Sequence, residues 1–287
     1  MFTVIMTFLG LIVGSFLNVV ICRLPLMLEK NWRQECSLLL GLSNPINAPN
    51  EALRAFNLFV PRSHCPQCKQ TIRAKDNIPV LSYLILKGKC RSCERAIPII
   101  YPFVEILSAC LTGLVAYQFG FTAQGIAGII LTWFLIVLSM IDYKHFILPD
   151  NITLPLLWTG LIMNTVWNVF QSAPNAILGA AVGYLSLWSV YWLFKLCTDK
   201  EGMGFGDFKL LALLGAWFGW QAIPGILFLS SFIGSVIGLG LILCCGKNKN
   251  TPLPFGPYLA IGGYTYLLWG QTLTDYYLHQ LRISFIF

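Results

Sequence analysis

The feature that most limits what this chain can become is its series of long apolar runs almost free of charge. Hydrocarbon offers backbone amides no hydrogen-bond partner, so a run of roughly 17 to 25 apolar residues crosses a bilayer as a helix. Eight runs qualify as candidates: Val4 to Cys22, Pro98 to Phe119, Thr122 to Ile141, Thr153 to Phe170, Ala176 to Cys197, Phe208 to Trp220, Ile223 to Cys245 and Leu253 to Leu273. Of the 287 residues, 56% are hydrophobic and only 11% charged, at a mean hydropathy of +0.70, which excludes an ordinary soluble domain. The expected fold is an all-α polytopic membrane protein of about eight transmembrane helices. The sixth run is short, so it begins within the glycine-rich approach before it or lies tilted. Met1 to Cys22 holds no Lys or Arg to lead a secretion signal and is read as a retained span.

Lys and Arg set the expected orientation. Segment 23–97 carries 12 of the 19 basic residues, and alternating spans place Lys144, Lys195, Lys200, Lys209, Lys247 and Lys249 on the same side. Only Arg282 falls on the other. The crowded side is cytoplasmic, with both termini facing outward. A net charge of +7 then reads as an orientation signal plus attraction to anionic membrane lipid. Nucleic-acid binding is excluded as a function, because the basic residues are scattered over separate loops with no recognition module.

The expected organisation is a first span over 1–22, a cytoplasmic domain over 23–97, and seven spans over 98–287. The cytoplasmic domain of about 75 residues is too small for a thick core and needs a staple. In HCPQCKQTIRAKDNIPVLSYLILKGKCRSC, Cys65 and Cys68 form one Cys-x-x-Cys knuckle and Cys90 and Cys93 a second, with 21 residues between the pairs. Two such knuckles wrap four thiolates tetrahedrally around Zn²⁺, and Pro66 and Gly88 suit the turns. Disulfides or a redox pair are the alternatives, and a reducing cytosol favours the metal. His64 is a possible substitute ligand, but four sulfurs already close a structural site. Cys22, Cys36, Cys110, Cys197, Cys244 and Cys245 make no knuckle and act as small hydrophobes.

Of the chain's 12 acidic residues, Glu105, Asp142 and Asp207 fall inside or at the edge of the spans. A charge at the centre of a transmembrane helix costs roughly 2.5 to 3.5 kcal/mol, so such acids are functional candidates. Asp142 ends the third span and Asp207 begins the sixth, which places both at the cytoplasmic edge where they can meet. Two carboxylates at one site share a proton and supply an acid and a base together, the chemistry of an aspartic peptidase. Gly202, Gly204 and Gly206 allow unusual dihedrals and close backbone approach beside Asp207, with Gly204 and Gly206 as the substrate approach. Met203 and Phe205 keep the place apolar. Asp207 also reads as a helix N-cap, whereas the macrodipole disfavours an anion at the helix C-terminus holding Asp142. Asp150 is a natural cap for the fourth span and a rival to Asp142. Glu105 reads as a buried core acid, a cation partner or part of a second site. His145 is expected in a surface loop, and Asp199 and Glu201 are expected to attract a basic substrate.

These segments together resemble the type IV prepilin leader peptidases, bacterial inner-membrane aspartic peptidases. The resemblance rests on GSFLNVVICRLP (Gly14 to Pro25), the two knuckles around NIPVLSYLILKGKC, YPFVE (Tyr101 to Glu105), IDYKHFILPD (Ile141 to Asp150) and GFGDFK (Gly204 to Lys209). It implies that Asp142 and Asp207 are the catalytic pair and that 98–287 forms the peptidase domain. Family members often carry a second acid two residues after the first, where this chain has Lys144. The resemblance also implies prepilin or pseudopilin substrates, cut after a Gly at the cytoplasmic face. A second implied activity is N-methylation of the new amino-terminal residue, usually Phe, with S-adenosylmethionine as donor, at residues the sequence does not reveal. Two rivals stand beside this reading: a transporter whose intramembrane acids bind cations or protons, and a noncatalytic assembly factor for pilus machinery.

Overall fold

A computed structural model describes residues 1–41, 56–246 and 252–284. Lys247 and Lys249, counted above as cytoplasmic, lie outside the described residues. Among those described, the chain is all-helical with no strand, and it divides into two compact units, residues 1–120 and 121–287.

The first unit pairs α1 (Phe2–Leu39) with α3 (Ile100–Phe119) and holds the cysteine-bearing segment, which includes the short α2 (Leu81–Ile85). Gly10 and Gly14 bring α1 against α3 at backbone distance. A Cβ on Gly10 would sit 2.9 Å from Ala109 Cα, and one on Gly14 would sit 2.8 Å from Glu105 Cα. Small residues four apart are how membrane helices approach closely without a hydrophobic driving force between them. Helix α1 does not end at Cys22 as the apolar run suggests. It continues through Pro25 to Leu39, because residues after the run are good helix formers and Glu29 accepts a hydrogen bond from Arg33 at 2.6 Å, one turn on. Apolarity marks where a helix is in lipid; it does not mark where the helix stops.

The second unit comprises α4 (Ala123–His145), α5 (Asp150–Trp167), α6 (Ala173–Thr198), α7 (Phe205–Phe218), α8 (Ala222–Cys245) and α9 (Gly256–Ser284). Helix α7 is apolar around its whole circumference, and such a helix belongs in an interior. It is enclosed by α5, α6, α8 and α9, and Phe208 and Leu210 through Phe218 are all buried. Its 14 residues span about 21 Å, short of a full bilayer crossing. Gly179 and Gly183 on α6 meet Gly215 and Leu211 on α7 so closely that a Cβ at Gly179 or Gly215 would strike the opposing backbone.

Two polar anchors lock α5 to α7. Trp217 donates its indole N–H to Leu156 O at 2.9 Å, with Gly160 leaving room for the ring. Buried Asn164 donates to Ala216 O and Trp217 O, and its own oxygen accepts from the amides of Phe170 and Gln171, so its amide is satisfied on every side. Where lipid cannot substitute for a lost partner, such a fully paired side chain fixes register. Among the described residues, five helices, α1, α3, α4, α6 and α8, are long and apolar enough to cross a membrane.

Candidate functional site

Asp142 lies in the last turn of α4, which runs on to His145 and closes on Phe146 in the left-handed conformation. Phe146 donates its N–H to Asp142 O at 2.9 Å. Asp207 is the third residue of α7. Gly204 holds the N-cap position of that helix, so Asp207 is not the N-cap. Both acids are interior, 6% and 8% exposed. The loop after α4 joins their surroundings through Leu148. A Cβ on Gly206 would lie 2.8 Å from Leu148 Cβ; one on Gly256 would lie 3.3 Å from Leu148 Cδ2 and 2.7 Å from Asp142 Oδ2. The two carboxyl groups are near enough for the charge of Asp142 to act directly on Asp207.

The unforeseen member of this site is Gly256. The first residue of α9 donates its backbone N–H to Asp142 Oδ2 at 3.0 Å, across 114 residues of sequence. The macrodipole objection to an anion at the end of α4 is met by the opposite end of another helix, since the N-terminus of α9 presents its orphan amides to the carboxylate. The run PFGPY offered the signal, a Gly flanked by Pro at a helix start, but nothing in it names the partner.

Two other expectations are corrected, those for Asp150 and for the glycine dihedrals. Asp150 is not the cap: Pro149 holds the cap position of α5, and both Asp150 oxygens accept from Lys209 Nζ at 2.7 Å, tying α5 to α7 two residues on from Asp207. The glycines before Asp207 adopt no positive φ; Gly204 has φ −81. Gly206 matters for closeness to Leu148 instead, while a Cβ on Gly204 would meet nothing nearer than Asp207 Oδ2 at 3.9 Å. Glu201 is already engaged by Lys195 at 3.0 Å, and that ammonium holds its carboxyl below the ordinary range. Phe205, as expected, keeps the entrance apolar; it packs with Phe208 and Tyr191 at ring distances of 5.4 and 5.2 Å. His145 and Lys144 are exposed at the end of α4.

In the first unit, Cys65, Cys68, Cys90 and Cys93 converge, with all four Sγ atoms within 4.8 Å of one another. The two knuckles are near copies. Each is closed by an antiparallel bridge, His64 with Thr71 and Lys89 with Ala96, and each turns on a residue of positive φ, Lys69 and Glu94. Tetrahedral thiolates at about 2.3 Å from zinc stand roughly 3.8 Å apart. Cys65 Sγ and Cys93 Sγ are 3.8 Å apart, so the cluster fits that ion. Backbone amides of Cys68 and Gln67 pull the Cys65 thiol down to about 6, toward the thiolate that binds metal. His64 turns its Nδ1 to Arg62 O and stays outside the cluster.

Comparison with known proteins decides the family. Residues 8–119 match the bacterial peptidase A24 N-terminal domain, and residues 129–239 match the type IV leader peptidase family. The chain belongs to the type IV leader peptidase family. Among relatives of this family member, a prepilin leader peptidase/N-methyltransferase of Pseudomonas aeruginosa is 53% identical over 270 residues, 94% of this chain and 91% of its own. One from Stutzerimonas stutzeri is 52% identical over 276 residues, covering 96% and 93%. One from Legionella pneumophila is 45% identical over 269 residues, covering 94% and 92%. No solved structure matches the chain.

Proposed function

We propose that this chain is a bacterial inner-membrane aspartic endopeptidase and N-methyltransferase. It removes the leader of type IV prepilins and pseudopilins after Gly, and it methylates the new amino-terminal residue, usually Phe. The observation that supports the reading is that buried Asp142 and Asp207 lie at two helix ends, close enough for the charge of one to act on the other, with Leu148 against the glycines beside each. Asp142 is the base and Asp207 the acid. The Gly256 amide and the N-terminus of α9 favour the anion on Asp142, leaving Oδ1 to take a proton from a water. The water oxygen attacks the scissile carbonyl carbon while protonated Asp207 donates to the carbonyl oxygen. Collapse of the tetrahedral intermediate expels the amine, which leaves with a proton from the pair.

A helical substrate backbone hides its carbonyls in its own hydrogen bonds, so the leader junction is extended when cut. The gap beside Gly204 accepts it, and Phe205 gives the following apolar helix a greasy contact. The apolar runs give eight spans, and the Lys and Arg bias then puts the cysteine domain and both acids on the cytoplasmic side and both termini on the periplasmic side. Membrane lipid surrounds the spans. Zinc on Cys65, Cys68, Cys90 and Cys93 is structural, because four thiolates leave no open position. S-adenosylmethionine supplies the methyl group for the second activity. The test is co-expression with a prepilin followed by mass analysis of its amino terminus. Loss of the leader plus 14 Da on the new first residue, the mass of one CH₂, is the expected result; an unshortened prepilin removes the peptidase reading, and a shortened, unmethylated one removes the second activity.

A further inference from the structure

The short helix α2 turns its apolar residues outward. Leu81, Leu84 and Ile85, three and four positions apart and so on one helix face, are 50%, 65% and 67% exposed. The opposite face is locked. Buried Ser82 accepts the Ile78 N–H at 2.9 Å and donates to Lys75 O at 3.1 Å. Gly88, at φ +69, closes the segment by donating to Tyr83 O at 2.8 Å, and a Cβ there would stand 3.0 Å from the Tyr83 ring. A helix that hides its serine and presents three aliphatic side chains is built to meet an apolar surface.

The depth of α2 says which surface. Glu105, a carboxylate only 8% exposed, accepts through Oε2 the backbone N–H of Val80, the residue before α2, at 2.8 Å. Val80 has φ +58 and ψ −47, a conformation that a β-branched residue enters only when its surroundings force it. Glu105 is the sixth residue of α3, about 7.5 Å along the axis from Ile100, and α3 is apolar enough to span. The start of α2 is thus pinned below the rim of that span, within the roughly 5 to 10 Å at which amphipathic helices rest in a bilayer. Charge agrees with this placement. Lys87 and Lys89 follow α2 at once and are exposed, and the sequence holds no acid between Asp76, which pairs with Arg91 at 2.6 Å, and Glu94. Lysines at such a boundary keep their stems in apolar surroundings and extend their ammonium groups to phosphate.

We propose that α2 anchors the cysteine-bearing segment to the membrane surface: Leu81, Leu84 and Ile85 enter the acyl boundary, and Lys87 and Lys89 hold anionic phospholipid headgroups. The inference rests on α3 being a span and on neither enzymatic activity; prepilin cleavage in the same samples scores the peptidase reading separately. The test uses the full-length protein in lipid nanodiscs, either of phosphatidylcholine alone or with phosphatidylglycerol added. Amide hydrogen exchange is followed over residues 81 to 89, and zinc content reports folding. Phosphatidylglycerol is expected to slow exchange there about tenfold or more, since a short helix must leave the surface to open. Lys87→Gln with Lys89→Gln should erase that slowing, and Leu84→Ser with Ile85→Ser should speed exchange in both lipids, zinc being retained. A benzophenone amino acid replacing Leu84 should, on illumination, form an adduct with phospholipid. Equal exchange in the two lipids, exchange unchanged by either pair of substitutions, or an adduct that joins two copies of the chain instead of lipid would each overturn the anchor.

Discussion

Replacing Gly256 with alanine adds one methyl group to a helix start, and the structure says where it goes. The new Cβ would stand 2.7 Å from Asp142 Oδ2 and 3.1 Å from its Cγ, against an ordinary contact of 3.4 Å or more. The same Cβ would also press on Leu148 Cδ2 at 3.3 Å. The carboxylate must therefore move by about 0.7 Å. A misplacement of about 1 Å in a catalytic group can cost roughly 100-fold in rate, so cleavage should fall by about 10- to 100-fold in kcat, with KM little changed. The assay is leader removal from a purified prepilin in detergent, with circular dichroism as the check on folding. Gly225→Ala is the control for crowding, since its Cβ would meet nothing within 4 Å. Wild-type turnover by a folded Gly256→Ala protein would refute the positioning of Asp142 by α9.

Chelation of zinc, or Cys65→Ser, is expected to unfold the cysteine-bearing segment, seen as new protease cleavage between residues 60 and 97 together with loss of bound metal. Trp217→Ala removes a fully buried ring and the bond to Leu156 O, and should cost about 3 to 5 kcal/mol of stability in denaturant titration. Asn164→Ala strips the partners from four backbone groups and should cost about 1 to 3 kcal/mol, measured the same way. Because Lys195 already pairs with Glu201, Glu201→Gln should leave leader removal within about twofold of wild type across a range of salt. A steep loss at low salt would show instead that this acid attracts the leader.

The two acids and four cysteines were legible in the sequence because their types are rare where they stand. An aspartate at the edge of an apolar run and a Cys-x-x-Cys pair declare themselves without a fold. Helix limits were less legible. The first apolar run ends at Cys22, but α1 ends at Leu39, since hydropathy reports solvent and helix propensity continues past it. Asp150 looked like a cap from the residue type alone; only tertiary structure brings Lys209 to it, 59 residues away. Gly256 could not be tied to Asp142 by any local rule, because that bond depends on where α9 begins in space. Of the two properties expected of the glycines near Asp207, close approach holds at Gly206, while the dihedrals are ordinary.

The central claim is that Asp142 and Asp207 work as one unit on one water. The most direct measurement is leader removal by Asp142→Asn, Asp207→Asn and the double variant, each quantified for insertion into membranes. Residues that act as a unit are non-additive, so each single change should reduce cleavage by roughly 1,000-fold or more, and the double variant should be no worse than either. Substantial processing by one inserted single variant, or losses that multiply in the double, would contradict the account.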